Sequence, residues 1–111
     1  MNDNASDEIK VRKGILTGTS LDQIVTLCLP DQGSVEVQHD QPWKEHHWHK
    51  HQTDETLVLV SGSFEFEWSE GKVTCMPGDL IELPCGVLHR SKALRGGALY
   101  VIALHRVELT S

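Results

Sequence analysis

Basic residues are few in this chain: ten Lys and Arg stand against sixteen Asp and Glu, for a net charge of −6. That balance excludes an extended nucleic-acid backbone as partner, because such binding draws on clustered cations. Long apolar runs are also missing. None approaches the roughly 20 residues of a membrane-spanning helix, so no membrane partner is expected. Cysteine is scarce, and Cys28, Cys75 and Cys85 are odd in number, far apart and without a CxxC pair. A disulfide framework and a thiolate zinc ribbon are therefore set aside, and the thiols are read as reduced and mostly buried. Met1 to Glu8 is polar and lacks the basic start and apolar stretch of a secretory signal. It is expected to be a frayed tail on a cytoplasmic protein. At 111 residues, the chain has room for one core and one domain, expected over 9–111.

What is present is a series of short apolar stretches separated by turn residues. Gln23–Leu29 is β-branched and closes on Pro30-Asp31-Gln32-Gly33, and Ser34–His39 alternates. Thr56–Val60 leads through Ser61-Gly62-Ser63 into Phe64–Trp68, where Phe64, Phe66 and Trp68 share one face and Glu65 and Glu67 the other. Lys72–Met76, Leu80–Leu83 and Ala98–Leu104 follow, each behind a Gly or Pro turn. No stretch has the period of a long amphipathic helix. About eight to ten short strands with frequent turns predict an all-β sandwich or barrel. Thr56–Val60 and most of Ala98–Leu104 are apolar on both faces, so something must cover the second face. A neighbouring sheet or the partner of a homodimer would do so.

Five of the seven histidines concentrate the chemistry: His46, His47, His49 and His51 in one segment, with His89 beyond. Residues two apart on a strand point to one side, so His49 and His51 can converge on an ion. Neutral imidazole is the commonest metal ligand. His47 and His49 form a competing pair at the same spacing, and Asp54 competes with Glu55 as the carboxylate. Spacing alone leaves both choices open. His89 follows a Pro84-Cys85-Gly86 turn and is a candidate for a further ligand.

Two motifs together resemble the cupin family. The first is H-x-H, three or four residues, E, six residues, G, found here as His49, His51, Glu55 and Gly62 over 49–62. The second, G, five residues, P-x-G, two residues, H, then N after three more, is met by Gly78, Pro84, Gly86 and His89 over 78–93. Trp43 stands where the family usually has a Gly, and Ala93 where it has the Asn. The resemblance implies a single-domain jelly-roll β-barrel with a metal ion in its mouth, held by His49, His51, Glu55 and His89. Three imidazoles and a carboxylate suit Fe, Mn, Ni, Co or Zn and disfavour Mg or Ca. Open coordination positions would serve a small-molecule substrate.

The family implies dioxygenase, isomerase, decarboxylase or lyase activity, with dioxygenase-like chemistry preferred; a non-catalytic sensor or ligand-binding module is the alternative. Glu55 and Tyr100 are candidate catalytic groups. Phe64, Phe66, Cys85 and Arg90 are candidate substrate contacts, each with a plain core or surface reading beside it. Arg95 shares the carboxylate-binding reading of Arg90. Trp48 is expected on an outer or interface face, and His46 and His47 as supporting or solvated residues. Affinity for the metal should fall as the histidines protonate near pH 6 to 5.

Overall fold

A computed structural model describes residues 8–109. The expected tail, Met1–Glu8, lies outside the described residues except for Glu8. Seven strands and one helix follow in chain order: β1 Lys10–Arg12, α1 Leu21–Cys28, β2 Val35–Asp40, β3 Glu45–His49, β4 Glu55–Trp68, β5 Gly71–Cys75, β6 Leu80–Leu83 and β7 His89–Ala103. All pair antiparallel in one sheet, with the path β1-β6-β4-β7-β2, β5 added to β4 and β3 added to β7. This is the expected jelly-roll barrel class. Among the described residues the strands number seven, fewer than the expected eight to ten, because two pairs of short runs are each one long strand.

The merging has a local cause. Ser61-Gly62-Ser63, expected as a turn, is instead a bulge inside β4, and Gly96-Gly97 lies within β7. The β4–β7 register shifts between Leu59 and Ser61 and again between Gly62 and Phe64, and such bulges bend a strand sharply. Gly62 has φ +80, and a Cβ there would lie 2.0 Å from the carbonyl oxygen of Gly97. The backbones of the two central strands cross closely here, and only glycine permits it.

Gln23–Leu29, expected as a strand, is helical. Ser20 accepts a hydrogen bond from the Gln23 amide while the Gln23 side chain accepts one from the Ser20 amide, a reciprocal cap that satisfies two helix-end donors. Ile24 and Cys28, one turn apart, are then both buried. Cap and helical spacing together outweigh the modest strand preference of Ile24, Val25 and Thr26.

The helix answers the question of the doubly apolar strands. Leu57, Leu59 and Tyr100 belong to a core on the barrel's inner side, with Phe64, Phe66 and Ile81. Their neighbours Val58, Val101 and Ala103 belong to a second core on the outer side, roofed by Ile24, Cys28 and Val107. Thr56 fastens that roof: its hydroxyl donates to the His105 carbonyl (2.8 Å) and accepts from the Val107 amide (3.1 Å). The second face is thus covered from within the chain. On the far side of the barrel, buried Asp79 pairs with Lys13 and accepts the Gly14 and Met76 amides, tying the segment after β1 to the β5–β6 turn.

Gly62→Ala is expected to lower stability by more than about 2 kcal/mol, since strain at positive φ adds to a backbone clash. Gly86→Ala shares a positive φ of +81 but opens onto free space, and should cost only about 1 kcal/mol. Urea denaturation of both variants, compared at equal slope, checks the difference.

Candidate functional site

Register places the histidines. His49, the last residue of β3, is the cross-strand partner of His89, the first residue of β7. Their ring centroids lie 4.4 Å apart. His51 lies beyond the end of β3 rather than on the same strand as His49. Its carbonyl accepts the Gly86 amide at 2.8 Å, which brings the second motif's turn against the first motif. The His51 ring stands edge-on to His49 at 4.7 Å and 5.2 Å from His89. One ring nitrogen from each of the three lies within 4.8 Å of the others.

The tautomers favour convergence. His49 Nδ1 lies 2.5 Å from the His47 carbonyl oxygen, and His89 Nδ1 lies 2.9 Å from that of Val87. A carbonyl only accepts, so both Nδ1 atoms carry hydrogen, and Nε2 is the nitrogen left with the lone pair in each neutral ring. Holding the outer nitrogen this way is how proteins orient an imidazole for a metal. Phe66 stacks on His89 at 5.3 Å and 18°, fixing its plane.

Glu55, the first residue of β4, has its Oε2 3.4 Å from His51 Nδ1. It is buried, and burial together with the Glu36 charge pushes its carboxyl up to about 7. Burial presses His89 down to about 4, against a raising hydrogen bond to Val87, and burial with the His49 charge lowers His51 too. The site therefore disfavours charge of either sign on its own groups. A divalent cation resolves this, because it needs neutral imidazoles and an ionised carboxylate. Neutral nitrogens with their lone pairs free, beside a carboxylate that lacks a counter-charge, fit such an ion.

These groups line a cavity of about 410 Å³. Its further polar lining is Glu36 and Gln38 of β2, His46 of β3, and Ser91 and Tyr100 of β7; Leu57, Phe66 and Ile102 supply apolar wall. Phe64, Cys85 and Arg90 are not part of this lining. Phe64 packs in the inner core. Cys85 is exposed, unlike Cys28 and Cys75, and its amide donates to Asp54. Arg90 pairs with Glu67 at 2.7 Å and Glu45 at 3.8 Å, so its guanidinium is already engaged by two carboxylates. Trp48 is exposed, as is His47, whose ring lies 3.9 Å from Glu45. His46 lines the cavity. Sequence reasoning missed Glu36, Gln38 and Ser91. The inward set on β2 is polar and its outward neighbours are Val35 and Val37, an inverted alternation that reads as a solvent face unless a polar cavity is anticipated.

The sequence profile of the cupin domain family matches residues 33–105. The chain belongs to the cupin family. No curated protein matches it. Among solved structures, it resembles a cupin-2 domain protein from Shewanella frigidimarina at 22% identity and TM-score 0.55, over 64% of this chain and 69% of that one. A DUF861 family protein from Thermotoga maritima aligns at 23% identity and TM-score 0.59, over 87% and 99%. A cupin superfamily protein from Desulfitobacterium hafniense aligns at 11% and 0.59, over 90% and 80%. At these identities the likeness establishes the fold. The departures from the cupin motifs, Trp43 and Ala93, meet each other: the Trp43 amide donates to the Ala93 carbonyl at 3.1 Å. Trp43 adopts φ +70, the left-handed backbone that glycine takes freely.

Glu55 makes the metal-free protein sensitive to pH with a definite sign. Its folded pKa lies above its unfolded value, so this contribution to stability falls as pH rises from 4.5 to about 7, and the full loss is present above 7. Metal-free Glu55→Gln is expected to be more stable than the wild type at pH 8, by on the order of 3 kcal/mol. Below pH 4.5 the advantage should vanish. Paired urea titrations at the two pH values measure it.

Proposed function

We propose that this cupin holds one divalent transition metal ion on His49, His51, His89 and Glu55 and uses it to act on a small organic molecule in the adjoining cavity. The supporting observation is the convergence of the His49, His51 and His89 imidazoles, with the buried Glu55 carboxylate 3.4 Å from His51, on the wall of a cavity of about 410 Å³. Fe, Mn, Ni, Co and Zn all suit that donor set. Such an ion supplies Lewis acidity toward a carbonyl or hydroxyl oxygen and, as iron, reactivity toward dioxygen. The chain's own residues orient the imidazoles through main-chain carbonyls and shape a half-polar chamber for the substrate. Dioxygenase-like chemistry on an enolisable or phenolic compound is the reading we adopt, with isomerase or lyase chemistry if the native ion is zinc or manganese.

Elemental analysis of untagged protein should find about one such ion per chain. His51→Ala is expected to lose it with its β-sheet circular dichroism intact, and His47→Ala to keep it. One tight ion retained by His51→Ala sinks the assignment. With iron restored, the wild type should consume dioxygen in the presence of a compound of the stated class, and silence across a panel of such compounds counts against turnover. Affinity should fall about tenfold per pH unit below 7. Glu55 takes up a competing proton in that range, whereas His89 stays neutral down to about pH 4.

A homodimer belongs to the same proposal. Its support is the edge strand β2, paired on one side only in the sheet path, with Val37 half exposed on its outward face. Sedimentation should then give about twice the chain mass of 12.4 kDa.

A further inference from the structure

A second cluster of titratable groups adjoins the cavity, apart from the three-imidazole group. Asp40, at the end of β2, is 5% exposed. Its Oδ2 accepts the Tyr100 hydroxyl at 2.9 Å and lies 3.0 Å from Nε2 of His46. The Gln38 amide donates to the Tyr100 oxygen at 3.1 Å, completing a chain of four side chains. Asp40 Oδ2 already accepts the Tyr100 hydroxyl, and acting as acceptor toward His46 as well it places the ring hydrogen on Nε2 and leaves the lone pair of the neutral ring on Nδ1. Asp40 thus stands to His46 as an orienting carboxylate stands to a general base: it fixes the tautomer and stabilises the cation that forms on protonation. The side chain bearing that basic nitrogen lines the cavity.

The lining also limits what the base would meet. Glu36 and Glu55 bring two carboxyl groups, while no Lys or Arg is among the described residues that line the cavity. With two carboxyl groups set against the double charge of a divalent ion and no cationic side chain in the lining, an anionic substrate would find little net positive charge to receive it. Gln38, Ser91 and His46 offer hydrogen-bonding partners instead, beside the apolar Leu57 and Phe66.

We propose that His46, held by Asp40, takes a proton from the molecule bound in this cavity, and that the molecule is an uncharged, hydroxyl-bearing organic compound. In the step, the ligand O–H bond breaks and its electron pair stays on the ligand oxygen. The proton moves to Nδ1 of His46, and Asp40 balances the resulting imidazolium. Tyr100 is a positioning residue, its proton committed to Asp40, with burial, then that hydrogen bond, holding its hydroxyl well above the usual phenol range. The assignment rests on the proposal that the cavity receives a small molecule, and it adds a base that is not one of the metal-holding residues.

The probe is 4-nitrocatechol, an uncharged diol whose absorbance distinguishes its ionised from its neutral form. It is titrated into zinc-loaded, ¹⁵N-histidine-labelled protein at a pH where the free diol is mostly neutral. In the wild type, the bound diol should show the ionised band while Nδ1 of His46 gains a proton in the nitrogen spectrum. Asp40→Asn and His46→Gln should each weaken binding about tenfold or more, the loss expected for a hydrogen bond to a charged group. Zinc stoichiometry and circular dichroism should not change. A wild type that binds the diol with Nδ1 unprotonated overturns the proposal without recourse to any variant, as does equal binding by a folded variant. Failure of the zinc-loaded wild type to bind the diol overturns it too. If the wild type holds no zinc, the metal assignment falls, and the same measurement on metal-free protein still decides the base.

Discussion

The antiparallel ladder between β4 and β7 is the constraint on which the rest of this cupin hangs. It runs from Thr56 opposite Ala103 to Trp68 opposite His89, and every other strand but β1 joins one of its two outer edges. The ladder bends at its register shifts, where Gly62 meets Gly97. Bending lets Glu55 and His89, which belong to opposite ends of the ladder, line one cavity. The site is a consequence of the curvature.

Electrostatically the cavity is built from groups that burial keeps uncharged. His89 and His51 resist protonation and Glu55 resists ionisation, each chiefly because water has been removed. The polar chain of Gln38, Tyr100, Asp40 and His46 solves a similar problem differently. There a buried carboxylate is satisfied by donors from two neighbouring strands. One chamber thus holds a set of groups short of a positive charge beside a set already balanced, which is the difference between a place for an ion and a place for a hydrogen-bonding ligand.

Most of the barrel was legible because alternation and turn residues mark strands directly. Leu80–Leu83 matches β6, and Ser34–His39 lies within one residue of β2. What was not legible came from competition between local signals. Ser20 and Gln23 cap a helix across a segment whose β-branched residues read as strand. Gly62 and Gly97 look like turns when taken alone, and only their mutual contact makes them bends within strands. At the site, the motif spacing brought out His49, His51, Glu55 and His89 because a ligand set requires fixed register. The polar inner face of β2 carries no such spacing, and Asp40 and Gln38 acquire meaning only once folding sets them beside Tyr100 and His46.

The acceptors that fix the tautomers of His49 and His89 are the carbonyls of His47 and Val87, each two residues earlier in the chain. No side-chain replacement can delete a main-chain oxygen. Positions 47 and 87 are thereby free to drift in identity while still presenting both imidazoles in the same protonation form. The chemistry of the donors is inherited with the path of the backbone, which makes it as durable under mutation as the fold itself.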